Sequence, residues 1–108
     1  MMKELELFMD ALRVEDFVQG HEILEDQWRA WKVVPEKRDE SYILKALING
    51  STALALWRLG RAVGCFKVWE TFEKYRPLIL SVESSYTKAY QEAEAFLIDK
   101  YTQIIVKA

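Results

Sequence analysis

The stretch LINGSTALALWRLGRAVGC, residues 47–65, decides the fold. Upstream of Gly60, apolar residues cover nearly the whole circumference of a helix that runs from about residue 40 to residue 59. One face carries Ile43, Leu47, Leu54 and Trp57, and another carries Leu44, Ile48, Ala55 and Leu59. This pattern predicts the central, most buried helix of the protein.

Gly60 stands where a glycine in the left-handed conformation ends a helix. An apolar stripe with helical spacing restarts at once, through Ala62, Cys65, Phe66, Trp69 and Phe72. The two segments therefore predict a tight αα-hairpin. Small residues at Gly50, Ala53 and Gly64 would let neighbouring backbones approach closely.

Two helices are expected before the hairpin. The first has an apolar stripe at Leu5, Phe8, Met9 and Leu12. The second begins after Asp16, a residue suited to cap it, and ends before VVPEKRDE, where Pro35 disfavours helical geometry at the preceding residue. Its stripe consists of Phe17, His21, Leu24, Trp28 and Trp31.

One long helix is expected after the hairpin. Pro77 fits a first helical turn, and apolar residues keep a helical period from Tyr86 to Ile105, so the helix should span about residues 77–106 and ~40 Å. The segment LILSV is too short and isolated to found a sheet. The sequence thus predicts a single all-α domain over residues 1–108, a compact bundle of about five helices with a central αα-hairpin and a long C-terminal helix.

The composition limits the function classes. The 108 residues are 51% hydrophobic and carry a net charge of -2, without a long basic run, so we expect no nucleic-acid partner. No apolar run reaches the roughly 20 residues of a membrane span. The single cysteine, Cys65, cannot form an intramolecular disulfide, and the N-terminus lacks the features of a secretion signal, which favours a cytoplasmic protein. Cys65 should be a buried, inert thiol.

The second helix carries the polar cluster whose side chains are best suited to catalysis. Helical spacing allows His21 and Glu22 each to meet Glu25, and a carboxylate beside an imidazole suits acid–base chemistry. The same pair also suits a structural joint, because His21 lies in an apolar stripe and a buried histidine needs a hydrogen-bond partner. Taken alone, the residues favour the joint. Asn49 would belong to the same network if it turned inward rather than toward solvent.

The surroundings of this cluster predict little further chemistry. Arg29 should pair with Glu25 and Asp26 along the helix surface, and the tryptophans, Trp28 included, should belong to the core. A second histidine is missing, so the HExxH pattern of zinc proteases is not met. Glu22 and Glu25 could bind a harder cation, but solvated helix carboxylates are far commoner. We therefore expect no metal and no cofactor.

The cluster also resembles a known family. His21, Glu22, Leu24, Glu25, Trp28 and Arg29 are similar to the H-E-x-L-E-x-x-W-R signature of a prokaryotic domain of unknown function, family 309. The quoted stretch is similar to that family's L-I-Q-x-x-x-A-L-x-x-x-x-x-G-N-x-x-G-A segment, and the resemblance covers about residues 14–75. It implies a small helical bundle without implying an activity. Asn49 replaces the family's glutamine and Arg61 its asparagine.

Two functional hypotheses stay open. The first is a non-enzymatic interaction or assembly module, a homo-oligomer formed through the long C-terminal helix, whose apolar stripe would outrun a small bundle. The second is a small enzyme or ligand-binding protein that uses a cleft between the second and third helices. Its candidate residues are His21, Glu22, Glu25, Trp28 and Asn49. The sequence does not define the small-molecule ligand.

Overall fold

The computed structural model describes residues 1–108 and contains helices but no β-strand. The helices are α1 (Met2–Arg13), α2 (Phe17–Ile23), α3 (Glu25–Lys32), α4 (Arg38–Arg58), α5 (Ala62–Tyr75), α6 (Leu78–Ser81) and α7 (Thr87–Tyr101). A 3-10 turn (Pro35–Lys37) precedes α4, and a π-helical turn (Thr102–Val106) follows α7. The predicted all-α class is confirmed. None of these helices combines the length and the apolar character that crossing a bilayer requires.

Helix α4 lies at the centre of the bundle. It packs against α2, α3, α5, α6 and α7. Residues from both of its apolar faces are fully buried, among them Ile43, Leu44, Leu47 and Leu54. Because nearly its whole circumference is apolar, α4 can be covered on several sides at once, as the sequence predicts.

In the hairpin of α4 and α5, helix α4 ends at a glycine in the left-handed conformation. Gly60 has a φ of 75°, and its N–H donates to the carbonyl of Trp57 at 3.0 Å. The N–H of Arg61 donates to the carbonyl of Leu56 at 2.9 Å. These two bonds form a Schellman motif, which satisfies carbonyls that the end of a helix leaves free. The predicted αα-hairpin is confirmed.

Helices α1 and α2 also begin and pack as predicted. The predicted apolar stripe of α1, Leu5 to Leu12, is buried. The Asp16 carboxylate accepts from the N–H of Gln19 at 3.2 Å and so caps α2. An N-terminal cap of this kind contributes about 1 kcal/mol.

The predicted single second helix is wrong, because the structure interrupts it at Leu24. This residue has φ -92° and ψ -5°, outside the regular helical region, and separates α2 from α3. Its side chain is fully buried. The interruption falls on a core residue, and the helices on both sides of it contact α4.

The predicted continuous helix over residues 77–106 is also wrong. Helix α6 ends at Ser81, Val82 is extended, and α7 begins only at Thr87. The Ser84 hydroxyl accepts from the N–H of Tyr86 at 3.0 Å, and the Ser84 carbonyl accepts from the hydroxyl of Thr87 at 3.0 Å. These local bonds replace helical ones, which is how serine commonly interrupts helices.

Helix α7 is therefore about 22 Å long at 1.5 Å per residue, rather than ~40 Å. Its inward residues Tyr90, Ala93 and Leu97 are buried within the same chain. Helix α7 contacts both α4 and α1. The bundle thus covers the α7 part of the predicted apolar stripe, whereas Tyr101, Ile104 and Ile105 are half-buried and Val106 is exposed.

Candidate functional site

His21 lies in the last turn of α2, with 30% of its side chain exposed. Its Nδ1 is 2.6 Å from the carbonyl oxygen of Val18. A carbonyl can only accept, so Nδ1 carries a proton and the ring orientation is fixed. Nε2 then faces Glu25 Oε1 at 3.4 Å. The structure therefore brings His21 and Glu25 together, at the i, i+4 spacing seen in the sequence.

Glu25 links His21 to Arg29 across the break at Leu24. While Oε1 faces His21, Oε2 accepts from Arg29 Nη2 at 2.9 Å. Arg29 also donates to Asp26 at 3.3 Å, which is the surface pairing that its spacing predicts. One row of polar side chains, His21, Glu25 and Arg29, thus joins the last turn of α2 to the first two turns of α3. Because both oxygens of Glu25 have a cationic or imidazole neighbour, the carboxylate is held in place rather than free for a substrate.

The other candidate residues do not form one polar network with His21. Glu22 is exposed and has neither a hydrogen bond nor an ion pair. Asn49 Nδ2 donates to the carbonyl of Lys45 on its own helix at 2.8 Å. Trp28 is half-buried and packs against the hydrophobic core. Glu22 is thus solvated, and no hydrogen bond links it to Glu25 or His21.

A small cleft nevertheless reaches the cluster. It has a volume of about 80 Å³ and is lined by Glu25, Trp28, Lys45, Ile48 and Asn49. Since a water molecule occupies roughly 30 Å³ of liquid, the cleft has room for a few water molecules and not for a metabolite. His21 does not line it. The cleft therefore brings Glu25, Trp28 and Asn49 together without exposing the His21–Glu25 pair to a substrate-sized space.

A larger depression, which we call the α3–α4 groove, adjoins this cleft. Its volume is about 460 Å³, within the range of roughly 300–1,000 Å³ usual for ligand sites. Helix α3 and the residue after it contribute Trp28, Lys32 and Val33, and α4 contributes Arg38, Ser41, Tyr42 and Lys45. Trp28 and Lys45 line both spaces, so the groove and the cleft are direct neighbours.

The α3–α4 groove is positively charged. Its lining includes Lys32, Arg38 and Lys45 and no carboxylate. None of these three cations forms a salt bridge, although the chain as a whole carries a net charge of -2. The Lys32 ammonium instead lies 4.4 Å from the centroid of the Trp28 ring. Unpaired charge of one sign, held in a concave surface, attracts ions of the opposite sign.

The floor of the groove is aromatic and held rigidly. The Tyr42 ring stacks on Tyr75 of α5, with ring centroids 4.7 Å apart and an angle of 7° between the planes. The Lys45 ammonium lies 5.6 Å from the centroid of the same Tyr75 ring. Stacking of this kind restricts the ring of Tyr42 and fixes the surface that a ligand would meet.

No single pattern in the sequence predicts the α3–α4 groove. The spacing of Arg38, Tyr42 and Lys45 puts these residues on one face of α4. The spacing of Trp28 and Lys32 puts these two on one face of α3. Each pattern alone is typical of an ordinary solvated helix face. Only the packing of α3 against α4 turns the two patterns into the walls of one site.

A buried polar network, also not predicted from the sequence, joins α4 to the C-terminal region. The Glu40 carboxylate is 5% exposed and accepts from Tyr90 Oη at 2.6 Å and from Ser84 Oγ at 2.5 Å. Burial, and then the neighbouring Glu40 carboxylate, raise the pKa of the Tyr90 hydroxyl well above its ordinary value. No cavity reaches this network, so its role is to fasten the C-terminal segment to the bundle.

Other reactive groups are isolated. Cys65 is fully buried, and burial raises the pKa of its thiol, which disfavours the nucleophilic thiolate. Nowhere do three or more histidine, cysteine, aspartate or glutamate side chains come together in a way that could hold a metal ion.

The fold and the groove define a small helical domain, built on a central αα-hairpin, with a cationic and aromatic surface beside its polar row. The family model described as Domain of unknown function (DUF309) matches residues 5–68, and the chain belongs to this family. The resemblance seen in the sequence is thereby confirmed, and the match contains every residue that lines the α3–α4 groove. Searches of curated proteins and of solved structures give no match.

Proposed function

We propose that this protein is a non-enzymatic binding module and that the α3–α4 groove is its binding surface. The observation that carries the proposal is the groove itself, which combines three unpaired cations with an aromatic floor. It lies within the segment that the family model matches and adjoins the cleft beside Glu25 and Trp28. A function shared by the domain family can therefore use this surface.

The groove replaces the C-terminal helix as the proposed interaction surface. Self-association through that helix was expected because a helix of ~40 Å would leave an apolar stripe without cover. Helix α7 is shorter, and its inward residues are covered within the chain. The groove, in contrast, presents charge and aromatic surface that nothing in the chain covers.

The test maps binding onto the structure. We would record amide chemical shifts of the labelled protein while adding a panel of small metabolites, neutral and charged, and expect shifts confined to residues 28–45 and to Tyr75. Tyr42→Ala should weaken the binding of any compound so located, because it removes the aromatic floor. Phe66→Ala, which removes an exposed aromatic ring of α5 outside the groove, is the matched control.

Two outcomes would refute the proposal. A panel that shifts no amide of the groove would show that the surface does not bind small ligands. Compounds whose shifts map elsewhere, and whose affinity is equal in Tyr42→Ala and Phe66→Ala, would place the binding surface in another part of the molecule.

The second candidate function is acid–base chemistry at His21 and Glu25. It is favoured by one observation, the fixed ring of His21 with Nε2 facing Glu25 at 3.4 Å. Replacing His21 with glutamine separates the two roles. Loss of stability without loss of a catalysed reaction supports a joint between α2 and α3, whereas an unchanged fold with a lost reaction supports catalysis.

A further inference from the structure

The charges of the α3–α4 groove restrict the ligand that it can bind, if the proposed binding function holds. Lys32, Arg38 and Lys45 line one depression whose own lining contains no carboxylate. Glu25 lines the adjoining cleft with Lys45, but its ion pair is with Arg29. Three like charges in one groove repel each other, and this repulsion is relieved when an anion binds among them. A neutral or cationic ligand would leave the repulsion in place or increase it. The ligand should therefore be an anion.

The number of cations favours a doubly charged group. A carboxylate supplies one negative charge, whereas a phosphate monoester supplies roughly 1.5 to 2 at pH 7, together with three acceptor oxygens. Arg38 contributes a planar guanidinium with several donors, and Lys32 and Lys45 contribute point charges on flexible stems. This combination can follow the tetrahedral arrangement of phosphate oxygens better than the plane of a carboxylate.

The aromatic residues of the groove set a second requirement for the ligand, besides its negative charge. Trp28 and Tyr42 give the groove an apolar surface beside its cations, and the stack of Tyr42 on Tyr75 keeps that surface flat and rigid. A rigid aromatic surface binds a planar ring with little loss of conformational entropy. Inorganic phosphate alone would leave this surface uncovered, and the groove's volume of about 460 Å³ leaves room for more than phosphate.

We infer that the α3–α4 groove binds a small aromatic phosphate of the nucleoside monophosphate class, with its ring on Trp28 and Tyr42 and its phosphate among Lys32, Arg38 and Lys45. The Lys32 ammonium, which lies over Trp28 in the free protein, would turn toward the phosphate. No chemical bond is made or broken.

The test compares three probes by calorimetry and by amide chemical shifts: adenosine monophosphate, adenosine and inorganic phosphate. The monophosphate should bind at least about tenfold more tightly than either fragment, because only it meets both requirements. Its affinity should fall as salt is raised from 50 to 500 mM, because salt screens the exposed cations. The amides that shift should belong to residues 28–45.

Two substitutions provide a matched pair. Arg38 and Arg61 are both exposed, lie at helix N-termini and have no salt bridge, but only Arg38 lines the groove. Arg38→Glu should weaken binding of the monophosphate by about tenfold or more and leave that of adenosine unchanged, whereas Arg61→Glu should change neither. If Arg38→Glu alters the fold, Lys45→Gln with Lys67→Gln as its control answers the same question.

The outcomes distinguish this inference from the proposed function. Adenosine that binds in the groove as tightly as its monophosphate would overturn the inference and leave the groove as a binding surface. A monophosphate that binds equally to Arg38→Glu and Arg61→Glu would also overturn it. If no metabolite of any charge shifts the groove amides, the proposed function fails as well.

Discussion

Replacing Gly20 with alanine tests the closest approach between α2 and α4. A Cβ atom at position 20 would lie 2.5 Å from Ser51 Oγ, but at the ordinary contact distance of 3.5 Å from Ser51 Cβ. Ser51 is fully buried, and its hydroxyl donates to the carbonyl of Phe17 at 2.7 Å. The new methyl group therefore collides with a single atom, the oxygen that makes this hydrogen bond.

The change in the free energy of unfolding depends on how the Ser51 side chain makes room for the new methyl group. If its hydroxyl turns away, the protein loses a hydrogen bond and keeps a buried unsatisfied group, at a cost of about 1–3 kcal/mol. Alanine offsets about 1 kcal/mol of this through its higher helix propensity. Gly20→Ala should therefore lower the free energy of unfolding by up to about 2 kcal/mol. In a Ser51→Ala background the collision is gone, and Gly20→Ala should raise the free energy of unfolding by about 0.5–1 kcal/mol.

Urea denaturation of the wild type, both single variants and the double variant measures this reversal of sign. Gly64→Ala is the control, because its Cβ would meet only Leu56 Cδ1 at 3.4 Å, and it should stabilise the protein in either background. If Gly20→Ala costs the same with and without the Ser51 hydroxyl, the contact between α2 and α4 does not explain the glycine and the reasoning is refuted.

Three further predictions, tested with four substitutions, concern other contacts. Glu15 has a φ of 60° and pairs with Arg58 and Lys100. Glu15→Gly and Glu15→Ala both lose the ion pairs, but only the alanine variant keeps the backbone strain of the positive φ. The glycine variant should therefore be about 1 kcal/mol more stable in urea denaturation, and equal stability would contradict the strain. The hydrogen bond from Arg58 lowers the pKa of Glu15 below its ordinary 4.5, so the stabilising contribution of Glu15 is present above about pH 4.5 and is lost as the pH falls through the lowered pKa. Glu15→Gln should flatten the acid side of the stability profile, and an unchanged profile would argue against the ion pairs. Tyr90→Phe removes a donor from the buried carboxylate of Glu40 and should cost about 2 kcal/mol in thermal unfolding, whereas a loss below about 0.5 kcal/mol would show that the network does not fasten α7.

The parts of the fold that depend on local signals could be predicted from the sequence. The helix end at Gly60, and with it the hairpin, is predictable because a left-handed helix end depends on a few consecutive residues. The capping of α2 by Asp16 is predictable for the same reason. The break at Leu24 gives no such signal. Phe17, Leu24 and Trp31 are seven residues apart, so the apolar stripe stays in phase through the interruption, and no glycine or proline marks it.

The break before α7 depends on a partner that is distant in sequence. Ser84 is a weak helix breaker by itself, but its hydroxyl also donates to Glu40, which lies 44 positions earlier in the chain. The α3–α4 groove escaped prediction for a related reason, since its cations come from two helices whose contact the sequence does not state. The pairing of His21 with Glu25 was predictable because it lies within one helical turn of spacing.

We propose that the residues resembling the family signature serve both as a structural joint and as support for the α3–α4 groove. Leu24 anchors the break in the core, and the row of His21, Glu25 and Arg29 spans it, so these residues hold the start of α3 to the end of α2. Trp28, one turn beyond Glu25, is thereby held against α4 as a wall of the groove. His21→Gln should then leave the protein folded but weaken ligand binding in the groove, although His21 does not line it. If binding is unchanged while stability falls, the row serves the fold alone.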